Sequence, residues 1–215
     1  MKKLATIGIV LAMLLLPLVA MAQEEQEKDL LEFGIFGGVS LPVGAVTSWN
    51  DSLGAKAGFG FGFDGGYFLS PSLTLGAAFA YHQLGMEKTS IDNTQHHRLY
   101  NPSLYLKYHF FGNSNLVPYV KVNAGAAFVK FSTLVSDNGE QKYRELGYKP
   151  ALSLGGGVGA FYYTSDYSGF FVEANLSEGF TKNVSKTFQD TEYKFGENIT
   201  VLDFRAGIQV FFGKK

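Results

Sequence analysis

Eight stretches of this chain alternate apolar residues with small or polar ones at a period of two, the spacing at which successive strand side chains point to opposite faces. The last, Leu202 to Phe212, sets Leu202, Phe204, Ala206, Ile208, Val210 and Phe212 against Asp203, Arg205, Gly207, Gln209 and Phe211. The same alternation runs through residues 31–41, 57–69, 73–83, 99–111, 117–131, 151–163 and 170–177. All but one of the charges in these stretches fall on the face that is rich in glycine and in small and polar residues: Glu32, Asp64, Lys107, Lys121, Glu173, Asp203 and Arg205. Lys130, near the end of the fifth stretch, is the exception. A charge at the middle of a bilayer costs about 2–4 kcal/mol, so an apolar face free of charge is the face that lipid would select. A soluble lipocalin-like barrel would need the reverse, an apolar interior and a polar exterior.

The connections alternate as regularly as the strands. Residues 70–72, 112–116 and 164–169 are short links, whereas 42–56, 84–98, 132–150 and 178–200 are long and polar. This rhythm predicts an all-β fold, an eight-stranded antiparallel up-and-down transmembrane β-barrel, with short periplasmic turns, four long extracellular loops and both termini in the periplasm. Aromatics crowd the short-turn ends: Tyr67, Phe68, Tyr108, Phe110, Phe111, Tyr162, Tyr163, Tyr167, Phe170, Phe211 and Phe212. They read as an interfacial girdle, with Tyr67, Tyr108, Phe110, Tyr162, Phe170 and Phe212 at its centre. Pro102, inside the fourth stretch, predicts a weakened or bulged ladder, because proline has no N–H to donate.

The ends and the composition narrow the location. Lys2 and Lys3, an apolar run from Ile7 to Val19 and the Ala20-Met21-Ala22 triplet have the form of a cleaved export signal over residues 1–22. An acidic periplasmic segment, 23–30, then leads into a barrel domain spanning 31–212 and a short tail, 213–215. Without the signal, 16 basic residues face 19 acidic ones, with no single-sign block to suggest nucleic acid. The absence of cysteine excludes disulfides, thiolate metal sites, a catalytic thiol and lipoprotein acylation. After residue 22 no apolar run is long enough for a transmembrane helix.

The signal, the eight alternating strands, the alternating loop lengths and the terminal Val210-Phe211-Phe212 together resemble the small outer-membrane β-barrel proteins of Gram-negative bacteria, the outer membrane protein A, X and W and opacity-protein group. That resemblance implies a bacterial outer-membrane location. It also implies contact with outer-membrane lipid and lipopolysaccharide, and a final aromatic strand recognised by the barrel assembly machinery. Here Gly213-Lys214-Lys215 follows that strand, a departure from the pattern.

Eight strands enclose a lumen that side chains can fill. Four acids and three bases then form a near-neutral interior network, since buried charges must be paired. Glu173 is expected to meet Lys107 or Lys121, and Arg205 to meet Glu32 or Asp64. No catalytic, cofactor or metal residues are assigned. Gly155 to Ala160 fits the dinucleotide fingerprint G-x-G-x-x-A, but it lies within a strand and no helix follows. His96-His97 in a polar loop lacks a ligand set. His82, Ser40 and Ser153 lie on interior faces without a motif joining nucleophile to base. Trp49, Ile91, Leu134 and Phe188 are apolar loop residues suited to a partner or to loop packing. The sequons at Asn50, Asn175, Asn183 and Asn198 mean little in a bacterial host. These features point to a non-enzymatic envelope protein with a plugged interior. A narrow channel for ions or small apolar solutes is the alternative, and a lipid-modifying barrel enzyme depending on His82 a more distant one.

Overall fold

The structure, a computed structural model, describes residues 31–44, 47, 54–86, 96–110, 115–137, 140–188 and 191–213; of 132–137, 140–144, 188, 191 and 193 the backbone alone is described. The signal and acidic segments, Trp49, Asn50, Ile91, Phe111 and the two terminal lysines lie outside the described residues, as do the side chains of Leu134 and Phe188. The strands in chain order are β1 (Leu31–Val43), β2 (Ala55–Ser70), β3 (Leu73–Met86), β4 (His96–His109), β5 (Leu116–Asp137), β6 (Glu140–Gly147), β7 (Ala151–Ser165), β8 (Ser168–Gly179), β9 (Ser185–Phe188), β10 (Thr191–Lys194) and β11 (Ile199–Phe212). Eight of them, β1, β2, β3, β4, β5, β7, β8 and β11, pair antiparallel in that order. β11 returns to β1 from Leu31↔Phe212 to Val43↔Thr200, which closes the barrel. Closure removes the unpaired edges that an open sheet would leave.

Burial follows the period of two through the whole wall. Phe33, Ile35, Phe59, Phe61, Phe63, Leu104, Val122, Val158, Val172 and Phe204 stand outward and exposed, while Glu32, Asp64, Lys107, Lys121, Glu173 and Asp203 are buried inside. Along the middle of the wall, therefore, large apolar side chains stand outside and the charges stand within. Tyr67, Phe110, Tyr162, Phe170 and Phe212 are each about half exposed, and with Tyr108 they stand outward at the short-turn end. Tyr108 meets Phe110 edge-on at 5.0 Å. Phe68, Tyr163 and Phe211 do not join them. Their parity turns them inward, where they pack with Phe36, Ala80, Tyr119, Phe161 and Phe171 into an aromatic layer.

Two of the long connections contain structure of their own. β5 runs six residues beyond Phe131 to Asp137, and β6 pairs back onto that extension from Lys130↔Gly147 to Asp137↔Glu140. β7 takes over the lower part of β5, beginning at Ala127↔Ala151. Pro150 occupies the break between them, a place where a missing donor is tolerated. Between β8 and β11, β9 and β10 form a separate hairpin. Pro102 has the effect expected of it. The β4–β5 ladder lacks pairs at Asn101 and Pro102, then resumes in the same register at Ser103↔Gly125, while the β3 side stays continuous through Phe79↔Pro102.

Candidate functional site in the filled lumen

The lumen is organised by glycines that let long side chains cross the floor of a neighbouring strand. Tyr105 on β4 stands opposite Gly76 on β3, Gly76 opposite Gly66 on β2, and Gly66 opposite Glu32 on β1. Along this lane the Tyr105 hydroxyl reaches Glu32 and donates to its Oε1 at 2.9 Å. A second lane runs from Tyr119 on β5 over Gly159 on β7 to Glu173 on β8, where the hydroxyl donates to Oε2 at 2.9 Å. A methyl added at Gly76 or Gly159 would lie 2.4 or 2.5 Å from the tyrosine ring, so the glycines are the space the rings occupy. Phe36 over Gly62 and Phe171 over Gly207 repeat the arrangement. An aromatic ring laid over a cross-strand glycine shields exposed backbone and pins register.

The two carboxylates so held are the centres of two ion clusters. Glu32 pairs with Lys107, and His109 Nε2 stands 3.9 Å from its other oxygen. Thr74 Oγ1 lies 3.3 Å from the same His109 nitrogen. Glu173 carries two cations, Lys121 at 2.6 Å and Arg205, which bonds it through Nε at 2.9 Å and also through Nη2. The expected partnership of Glu173 with Lys121 is present. The expected pairing of Arg205 with Glu32 or Asp64 is not, because register places Arg205 directly across from Glu173 and the Phe36 ring covers its guanidinium at 4.5 Å. Asp64 is buried, and its Oδ1 has no hydrogen-bond partner among the described residues.

Higher in the lumen Asp203 accepts a hydrogen bond from Ser40 at 2.7 Å and stands 3.2 Å from His82 Nδ1, which is itself 3.1 Å from Ser40 Oγ. These are the residue types of a hydrolytic triad in another arrangement. A relay needs nucleophile and acid on different ring nitrogens, whereas here both meet Nδ1. Ser153, the other serine singled out from the sequence, receives a hydrogen bond from Asn101 Nδ2 at 3.1 Å. Two cavities adjoin this level. One, about 10 Å³, is lined by Ser40, Gly60, His82 and Asp203, and the other, about 20 Å³, by Asn101, Lys121, Asn123 and Arg205. Each has room for about one water.

The long-loop end of the lumen is apolar, which the alternation as drawn along the sequence does not anticipate. Ala55, Leu84, Leu99, Ala127, Val129, Phe131, Leu146, Tyr148, Phe195, Ile199 and Val201 form one buried cluster. Leu99, Ala127, Val129 and Phe131 take the inward parity within the alternating stretches, and Leu84, Ile199 and Val201 continue it just beyond them, while Ala55 follows a register shift in β2 and Leu146 and Tyr148 come from β6 and the link after it. Phe195 is delivered by the segment after β10. Asn183, with a φ of 66°, turns that segment back, donating through its N–H to the Phe195 carbonyl at 2.9 Å, while Phe195 N–H donates to the Val184 carbonyl at 2.9 Å. Asparagine tolerates this left-handed conformation better than most residues. The Phe195 ring then packs against Tyr148 at 4.6 Å and Phe131 at 5.7 Å. His97 is buried beside them and His96 points the other way, both at the start of β4 and not in a loop. Opposite faces of a strand cannot offer two adjacent ligands to one metal, and among the described residues no group of three candidate ligands occurs.

Phe195→Ala would remove a fully buried ring from this layer, and large-to-small changes of that kind cost about 3–5 kcal/mol. The expected result is faster hydrogen exchange at the Asn183 and Phe195 amides, with the barrel itself still resisting detergent. Unchanged protection would mean that the segment is held by its backbone bonds alone.

On the outer wall at the same end, Arg98 and Lys130 share Glu145, each at 2.9 Å.

Comparison with known proteins agrees with this architecture. Among solved structures the chain is similar to Neisserial surface protein A (NspA), with 15% identity, a TM-score of 0.57 and coverage of 85% of this chain and 97% of that one. It is also similar to the outer membrane protein OprG from Pseudomonas aeruginosa, with 13% identity, a TM-score of 0.50 and coverage of 88% and 100%. At such identity these likenesses speak for the fold alone. No curated protein matches the sequence. The family model described as "Outer membrane protein beta-barrel domain" matches residues 9–149, well over half of the chain. With its apolar outer wall, closed sheet and eight antiparallel strands, the chain belongs to the outer membrane protein beta-barrel family.

Proposed function

We propose that this protein is a non-catalytic barrel of the bacterial outer membrane whose lumen is plugged, and that it serves envelope structure and surface interaction through its four long extracellular loops. The observation that carries this reading is the stacking of three filled layers: aromatic rings at the short-turn end, paired charges in the middle and the Phe195 cluster at the long-loop end. A conducting path would have to cross all three. Purified protein in planar bilayers is therefore expected to leave the baseline current unchanged. Discrete openings that scale with protein added would replace this reading with the narrow-channel alternative. One observation favours that alternative, the gap in the β4–β5 ladder at Pro102, which would serve lateral exit of a small apolar solute.

The enzymatic reading is weaker on geometry. Ser40 is fully buried, its cavity admits about one water, and His82 has both partners on one nitrogen. His82→Asn is accordingly expected to leave the acyl composition of outer-membrane lipid unchanged. The proposed life history begins with export and cleavage after Ala22, so that the mature protein starts at Gln23, followed by delivery to the assembly machinery through Val210-Phe211-Phe212. Amino-terminal sequencing of protein from the outer-membrane fraction tests the first step.

A further inference from the structure

Lys130 is the charge that departs from the inward rule, and the fold gives it company on the outer wall. Gln83, Arg98, Lys130 and Gly147 form one cross-strand row over β3, β4, β5 and β6, and directly below it Tyr81, Tyr100 and Phe128 form another. Arg98 and Lys130 are register partners, so two cations face each other, an arrangement that is destabilising unless something negative intervenes. Among the described residues, Glu145 supplies one carboxylate for both cations, one negative charge against two positive. It engages one donor on each cation, whereas a guanidinium carries five and an ammonium three. The side chains remain 40% and 47% exposed, on the face that meets the surroundings of the barrel. Lys130 also lies over the Tyr100 ring, 6.0 Å from its centroid, and Tyr81 packs on Tyr100 at 5.2 Å.

Height identifies what those surroundings are. Arg98, on β4, stands twelve residues above Phe110, which directly follows that strand. At about 3.4 Å per residue on a strand tilted by about 40°, that is about 31 Å, just past an apolar band of about 25 Å. Tyrosine rings below and cations above are the sequence of groups that a bilayer boundary favours, with aromatics at headgroup level.

We propose that Arg98 and Lys130 hold a phosphate of an outer-leaflet phosphoglycolipid against the outer wall of β4 and β5, with Tyr81 and Tyr100 lying beneath its headgroup. Glu145 keeps the two cations together and limits the affinity, so that the lipid is retained but exchangeable. The inference rests on the outer-membrane reading above and adds to it a site and a ligand chemistry.

The test uses the full mature chain in nanodiscs containing lipid A that bears two phosphates, with the same lipid dephosphorylated as a parallel arm and lipid retention read by native mass spectrometry. Each cation near a membrane surface contributes enough that loss of both is expected to lower retention by about tenfold or more. R98Q/K130Q should therefore retain the bisphosphorylated lipid about as poorly as the wild type retains the dephosphorylated one, while Glu145→Gln should retain more than wild type. Equal retention of the two lipids by the wild type, or equal retention by wild type and R98Q/K130Q, overturns the site. Each sample is also run boiled and unboiled. Normal mobility shifts confine a negative result to the site, whereas a wild type without the shift would remove the barrel on which the proposal stands.

Discussion

Glu173→Gln is expected to destabilise the folded barrel by about 3–5 kcal/mol, more than loss of either of the cations it holds. The reason is the asymmetry of the cluster. Lys121 and Arg205 both depend on this one carboxylate, and both are almost wholly removed from solvent. Removing one member of a buried pair leaves an uncompensated charge in a medium of low dielectric, and here one substitution leaves two. Lys121→Met is expected to cost less, since Arg205 and the Tyr119 hydroxyl still satisfy the carboxylate. The triple change of Glu173→Leu, Lys121→Met and Arg205→Leu should recover much of the loss, because a well-packed apolar replacement of an ionic cluster avoids the desolvation penalty altogether. Reversible urea unfolding in a lipid or detergent bilayer mimic measures all three. A Glu173→Gln protein that unfolds at the wild-type midpoint would mean that water reaches these cations, and the filled lumen would have to be abandoned.

The cluster also marks where sequence stops being sufficient. Which face a residue occupies follows from parity alone, since a slip of one residue would put every charge of a strand into lipid. Glu32, Asp64, Lys107, Lys121, Glu173, Asp203 and Arg205 could all be placed inside on that basis. Who meets whom depends on register, which is set by how long each strand is and where its turn falls. Arg205 faces Glu173 because of the register in which β11 pairs with β8, and those strands are joined by the long connection 180–198, where no local pattern fixes the pairing. The apolar cap shows a different limit. Leu84, Leu99, Val129, Phe131, Ile199 and Val201 continue their strands' parity, yet they fall where polar loop residues begin to interrupt the alternation. Phe195 has no period to betray it, because it enters the lumen from a turn. The separate strands β6, β9 and β10 were hidden for a related reason: hairpins outside the membrane have no lipid face, so the apolar half of the signal is missing.

The glycines are the part of the pattern with the clearest mechanical meaning, and substituting them should separate the two faces of one strand type. Gly159→Ala is expected to destabilise the barrel by about 1–3 kcal/mol, the usual cost of forcing extra atoms into a filled space. Its new methyl would lie 2.5 Å from the Tyr119 ring and 2.6 Å from the Val172 carbonyl oxygen, so neither moving the ring nor shifting the backbone alone relieves it. Displacing Tyr119 would also withdraw its hydroxyl from Glu173, which couples the overpacking to the ion cluster. Gly76→Ala should behave alike through Tyr105 and Glu32. Gly37, on the outer face of β1, is the control: the nearest atom to an added methyl there is the Gly60 carbonyl oxygen at 3.7 Å. Gly37→Ala should change stability by no more than about 0.5 kcal/mol, or improve it by restricting the unfolded chain. A Gly159→Ala barrel that unfolds with the Gly37→Ala barrel, at the same urea concentration, would show that Tyr119 can leave its lane without cost. In that case alternation of glycine with charge would reflect only the polarity of the lumen. A clear separation would instead establish that the inward glycines are cut to the shape of particular rings, and that those rings position the carboxylates on which the interior charge balance rests.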